Sequence, residues 1–416
     1  MFAKVWIDEE GIKSPDDLDG ALKSEKALTR LEELANAEGL YAATKFEDGV
    51  IAIAAGRGLD LSGDLDCWHV DCQRQQLEKL FRGILHYFDK VIVAGPQAHA
   101  YVDGLRERNE HFVDTVIASQ MRMLLVIKEL GLDGFVDFVQ KDPSCVLHYG
   151  EHARSAGVSN LLAGQKELVK EVSRAGHLRK LKPHKGHWDY TFDCNFTEHT
   201  TWGSVTAQKQ PRKRDVANDV FIKYMAGLTS DVITARRLGV PLGVRIPMHR
   251  LILERGGGQS TTENVIFDMR LPILEGIPIP DLVALREEQA SSFESFRVAL
   301  AAAVSERMTV DTDVDGITDR IMKEVISPAL NDIDRQLEVV RSGLVRRTAS
   351  KAVQTGVLAT SVGLLSGSPT RAVIVGGAGA TASAAKSVLE NKANKMQAVT
   401  LSDMYFLWTA QRAHGG

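Results

Sequence analysis

Residues 352–385 restrict this 416-residue chain more than any other stretch. They read AVQTGVLATSVGLLSGSPTRAVIVGGAGATASAA, small or apolar almost throughout, with Arg371 the only charge. Small residues return at every fourth position, as Thr355, Ala359, Gly363 and Gly367, then Ala372, Gly376, Ala380 and Ala384. On a helix that spacing forms one smooth ridge. Two ridges joined through Ser366-Gly367-Ser368-Pro369 would let backbones approach closely, as in glycine-zipper or small-xxx-small pairs.

Basic residues flank the stretch, with Arg346, Arg347 and Lys351 before it and Lys386, Lys392 and Lys395 after it. A hairpin entering a bilayer from the cytoplasm carries charge in that arrangement. Magnitudes weigh against a full span. Residues 352–370 hold only six Val and Leu, whereas a stable span needs ~20 predominantly apolar residues. Residues 372–385 would reach only ~21 Å as a helix, short of a ~30 Å hydrocarbon core. The first expectation is therefore a buried helical hairpin, the second a conditional membrane or pore-type element, and the third a disordered segment.

The rest of the chain has enough apolar material, 44% of residues, for sizeable cores. A formal charge of −4 supplies no global attraction for nucleic acid, so any such binding needs a local patch. Four scattered cysteines do not suggest a disulfide scaffold, and the start MFAKVWIDEEG lacks a basic region followed by an apolar run. The expected setting is cytoplasmic, with peripheral attachment to the inner membrane if the hairpin engages lipid.

The apolar pattern predicts a strand at 2–7 ending at Asp8, a helix through Leu28, Leu31 and Leu34, and strands at 50–55 and 90–95. A helix over 73–87 leads directly into KVIVAG, which argues for an α/β layer. Residues 101–139 have helical period, with interruptions at Gly131 and Gly134, and another helix runs through 161–172. A helical stretch over 218–242 with a Gly-Val-Pro exit to an extended segment at 243–246, a strand at 265–271 and a Pro-punctuated connector at 271–281 follow. Beyond it, helices are predicted at 282–308 and 314–345. The second carries a seam of Ile326, Leu330, Ile333, Leu337, Val340 and Leu344 that requires a partner helix, and MYFLW at 404–408 begins a last helix. The expected organisation is an α/β or α+β domain at 1–176, a basic-aromatic insertion at 177–214, a continuation of the α/β domain at 215–280, and an all-helical bundle at 281–416 containing the Gly/Ala hairpin.

The insertion is the candidate binding element. HLRKLKPHKGHWDYTFDCNFTEHTTWGSVTAQKQPRKR is basic, aromatic and poor in aliphatics. Lysine and arginine neutralise phosphates while rings cover base faces. That chemistry selects Lys182, Lys185, Trp188, Tyr190, Trp202, Arg212, Lys213 and Arg214 as possible contacts to nucleic acid or a partner, against the alternative of an irregular excursion or hairpin anchored by its aromatics.

Asp8, Asp89, Asp219 and Asp231 form a second constellation. Converging carboxylates would hold divalent cations against a phosphate and an attacking water. SDVITARRLGVPL resembles the late helix-to-strand unit of PIN-type nucleases, although GVRIP stands where that pattern has a further acid. Cys67, His69 and Cys72 could supply part of a zinc site with His184, His187, Cys194 and His199, but metal and cofactors are not expected. The glycines at 256–258 and 376–379 lack the lysine and Ser/Thr of a phosphate loop, and neither a GxSxG elbow nor an HExxH pair occurs.

The α/β front, LPILEGIPIPDLVALREEQASSFESFRVAL at 271–300, the long helix, the Gly/Ala hairpin and the aromatic last helix together resemble uncharacterised bacterial proteins of defence-type genomic regions. The resemblance is one of architecture over about the last 150 residues. It implies a bacterial effector in antiviral or toxin-like work. The expected function is non-enzymatic recognition by the front part, with the C-terminal helices used for self-association, a partner protein or an anionic membrane surface. The alternatives are a PIN-like metal-dependent nuclease and a structural assembly subunit.

Overall fold

The computed structural model describes residues 1–38, 50–55, 70–107, 109–140, 146–197, 200–244, 246–257, 261–308, 314–335 and 403–414. Thr355, Ala359, Gly363, Gly367, Ala372, Gly376, Ala380 and Ala384, and with them the expected hairpin, lie outside the described residues. The chain divides into two compact units, Met1–Ala284 with Val304–Asp315, and Leu285–Ala303 with Gly316–Gly416. A mixed α/β front half is followed by a helical region.

In the first unit, four short strands make a parallel sheet. These are β1 (Ala52–Ala55), β2 (Lys90–Ala94), β3 (Val136–Val139) and β7 (Leu242–Gly243), in the order β3-β2-β1-β7. Continuous apolar runs such as Val91-Ile92-Val93 suit a sheet covered on both faces, and all three of these residues are buried. β3 was hidden in the sequence because it follows α6 (Ala118–Glu129) after a short turn. Gly131, at φ +70°, ends that helix in a left-handed conformation which other residues adopt at a cost.

Two segments expected to be strands are helices. Phe2–Glu9 forms α1, burying Phe2, Ala3, Trp6 and Ile7. That spacing of one, three and one residues is a helical stripe, and Trp6 Nε1 donates to the Ala27 carbonyl at 2.8 Å in α3 (Glu25–Ala37). Thr262–Asp268 is likewise helical, as α11. Thr261 caps it by accepting the Asn264 N–H at 3.3 Å, which favours a helix over the strand its VIF run suggests.

Residues 177–206 of the expected insertion form a second sheet. β4 (His177–His184), β5 (His187–Asp193) and β6 (Thr201–Thr206) pair antiparallel in sequence order. Lys185 and Gly186, with φ of +39° and +88°, form the tight turn between β4 and β5. One face of the sheet lies on α9 (Lys213–Leu238), joined by α8 (Gln165–Ala175). Tyr190, Phe192, Val216, Val220, Phe221, Leu168 and Val172 are buried in that core. The far half of α9 serves the parallel sheet, with Ala235 packed among Ala52, Ala54, Ile92 and Val139. One 26-residue helix therefore carries both sheets.

In the second unit, Phe293 and Phe296 of α14 (Ala290–Met308) meet Phe406 of the last helix at ring separations of 5.1 and 5.7 Å. A helix from α15 (Val314–Ile321) continues through a wide π turn at Met322–Ile326 to residue 335, the turn lying just before Pro328. Ile326, Leu330 and Ile333 of the expected seam are buried, and Leu337, Val340 and Leu344 lie outside the described residues. Asp334 accepts from Trp408 Nε1 at 2.9 Å and from Arg412 Nη2 at 2.7 Å. Those bonds hold its carboxyl below the usual carboxylate range. Among the described residues no helix is long and apolar enough to cross a membrane.

Candidate nucleic-acid interface

Strand alternation sorts the insertion's side chains into two faces. The inner face consists of three cross-strand rows, Pro183–Trp188–Val205, Leu181–Tyr190–Gly203 and Leu178–Phe192–Thr201. The outer face carries His184–His187–Thr206, Lys182–Asp189–Ser204 and Lys180–Thr191–Trp202. The basic-aromatic run is therefore two chemistries interleaved along one chain.

Two of the sequence-selected aromatics belong to the inner face. Tyr190 is 2% exposed and Trp188 shares its side of the sheet. Tyr190 instead anchors the sheet to α9, its hydroxyl donating to Asp219 Oδ2 at 2.6 Å. Lys223 Nζ pairs with the same carboxylate at 2.9 Å and lies 5.3 Å from the Tyr190 ring centre. Burial first, then the Asp219 bond, raises the phenol far above its usual range. Gly203 leaves room for the cluster, since a Cβ there would stand 2.5 Å from both Lys223 Nζ and the Tyr190 hydroxyl.

Trp202 faces outward. It is 67% exposed, the largest ring among the exposed apolar residues described. Across Thr191 from it stands Lys180, and Lys182 is two residues further along β4. Lys180, Lys182 and Lys185 are exposed and make no ion pair with a described residue. Of the acids of this face, Asp193 meets Arg179 and the Thr200 hydroxyl, and Asp189, the cross-strand partner of Lys182, lies 3.4 Å from His184 Nδ1. His184 and His187 stack at 5.4 Å with their planes 9° apart, beside the turn.

Arg212, Lys213 and Arg214 stand at the start of α9, the helix packed on the inner face of the sheet. Arg212 is committed to Asp215, with Nε and Nη2 both 3.2 Å from its carboxylate. Lys213 and Arg214 are exposed on the first turn. The sequence missed Lys180 as a site residue. Its partner across the sheet is visible only once the register is known.

The metal-hydrolysis constellation does not assemble. Asp8 ends a helix rather than a strand and pairs with Lys128 at 3.1 Å. Asp89 precedes β2 and accepts the Ile51 N–H at 3.0 Å. That is the amino end of the parallel sheet, whereas ligands of such sheets bind beyond the carboxyl ends. Asp219 is occupied by Tyr190 and Lys223, and Asp231 is buried in α9. Among the described residues no group of three or more His, Cys, Asp or Glu side chains is placed to hold a metal ion. Cys67 and His199 lie outside the described residues, as does the Cys72 side chain. Cys194 is a free, half-buried thiol whose pKa burial raises.

The fold and this face define the class as a mixed α/β protein with an appended antiparallel sheet that is basic and aromatic on its open side. No protein-family model matches the chain, and neither a curated protein nor a solved structure does.

Proposed function

We propose that this chain is a non-enzymatic recognition protein whose β4–β6 outer face binds the phosphate backbone of a nucleic acid, in keeping with a bacterial defence-type effector. The observation that carries the reading is the row Lys180–Thr191–Trp202 with Lys182 beside it, where three exposed lysines, counting Lys185, make no ion pair with a described residue. Lys180, Lys182 and Lys185 outnumber the Asp189 carboxylate that stands across from Lys182, which leaves a local positive patch despite the net charge of −4. Phosphates displace counterions from such a patch, so affinity falls as salt rises.

Anisotropy of a fluorescent oligonucleotide over a salt series tests the reading. Reversing charge with Lys180→Glu and Lys182→Glu is expected to weaken binding roughly 100-fold at low salt and to flatten the salt dependence. Equal affinity for the reversed and original proteins would overturn it.

For the second unit we propose assembly or conditional contact with an anionic membrane. The Asp334 bonds to Trp408 and Arg412 support this reading. They join the helix that runs to residue 335 to the last helix, Tyr405–His414. Deleting 352–385 is expected to abolish flotation with anionic liposomes or to lower the oligomer size in sedimentation. No change in either property would defeat this part of the proposal.

A further inference from the structure

We infer that the nucleic acid taken by this face is single-stranded, with its backbone running along β4 and an unpaired base laid across β5 onto Trp202. The inference rests on the phosphate-binding reading above and adds what Trp202 contributes to it.

The geometry supplies three parts of a strand-binding platform. Lys180 and Lys182 are two residues apart on one side of β4, about 7 Å along the strand, and Lys185 extends the same edge at the turn. Trp202 stands two strands away from Lys180, about 10 Å across the sheet. Between them Thr191 is buried, a small side chain that forms a low floor rather than a barrier. A line of cations beside a parallel aromatic position suits a polymer with charge on one edge and flat rings on the other.

Alternative occupants fit less well. A duplex base already has both faces stacked, so a duplex would use the lysines and leave the ring unsatisfied. An acidic peptide would use the lysines and gain little from a lone tryptophan. Nor does the Trp202 indole make a hydrogen bond or ring contact with a described residue. Every base offers a π face, so binding through it tolerates sequence.

Anisotropy with the full chain, a labelled oligothymidylate of about 12 nucleotides and a duplex of equal length tests the inference. The single strand is expected to bind at least roughly tenfold more tightly than the duplex. Trp202→Ala should weaken single-strand binding roughly tenfold with the salt slope unchanged, and Trp202→Phe should restore most of the loss. The double change Lys180→Ala, Lys182→Ala should weaken both probes and reduce the single-strand slope by about 1.4, at about 0.7 per phosphate contact. Equal binding of the two probes, or an unaffected Trp202→Ala variant, overturns the inference and leaves the phosphate reading standing. Absence of binding by both probes overturns the two together. Circular dichroism of the Trp202 variants confirms that the fold is retained, as the ring's exposure requires.

Discussion

The two sheets of the first unit are built on opposite plans. The parallel sheet β3-β2-β1-β7 is covered on both sides, and its central strands are apolar without alternation. The antiparallel sheet β4-β5-β6 covers one face with α9 and leaves the other to solvent, so polar and apolar residues alternate. The strand faces of a sheet buried twice are closed to a partner, and ligands of such sheets meet them only beyond the carboxyl ends. The sheet that is buried once keeps a whole face open, and the proposed recognition lies there.

That comparison breaks first at the helix both sheets share. Phe221→Ala removes a fully buried ring from α9 and should cost about 3–5 kcal/mol by chemical denaturation, loosening both sheets together. Loss of only one sheet's hydrogen-exchange protection would show that α9 does not couple them.

Glycine substitutions sharpen the contrast next. At Gly243 in β7 a Cβ would stand 2.6 Å from the buried Phe267 ring, and Gly243→Ala should cost about 1–3 kcal/mol. Gly203→Ala in β6 should cost a similar amount, because a Cβ there would stand 2.5 Å from the buried Tyr190 hydroxyl as well as from Lys223 Nζ. A much smaller cost at Gly203 would mean that the antiparallel sheet is the more loosely packed of the two.

Tyr190→Phe comes third, removing the hydroxyl bond to Asp219 at a cost of about 1–2 kcal/mol. It also carries a pH signature. Burial raises the phenols of Tyr101 and Tyr190 above their unfolded value of about 10. The unfolded chain therefore releases protons above about pH 10 that the folded chain keeps, and stability declines as pH rises past that point. Below it the contribution is complete. Denaturation midpoints measured across this range should fall less steeply in Tyr190→Phe than in the original chain, and parallel curves would refute the assignment.

The smallest effect is expected at Trp202. Trp202→Ala should change stability by less than about 0.5 kcal/mol, since the ring is exposed. A larger loss would make Trp202 a structural residue and remove the reason for assigning it a ligand.

How much of this was legible in the sequence follows from the same contrast. β2 announced itself, because KVIVA is a short apolar run between turn signals. β4 did not. Leu178 and Leu181 are three residues apart, which defeats a period of two, yet a register shift between Leu178 and Lys180 puts both on the inner face. Without strands there was no parity by which to separate Trp188 and Tyr190 from Trp202. α1 reads as a strand in the sequence because Phe, Val, Trp and Ile favour strands individually, while their helical burial stripe depends on packing against α3 and α6. Asp219 was singled out for its charge, and only the fold reveals the tyrosine and lysine that engage it.

The most direct test of the claim that the once-buried sheet is the recognition surface is ultraviolet crosslinking of oligothymidylate to the full chain, with the attached peptide mapped by mass spectrometry. Attachment is expected within residues 177–206, centred on Trp202, and is expected to be lost in Trp202→Ala. Crosslinks confined to the parallel-sheet helices or to the second unit, or unchanged by that substitution, would contradict it.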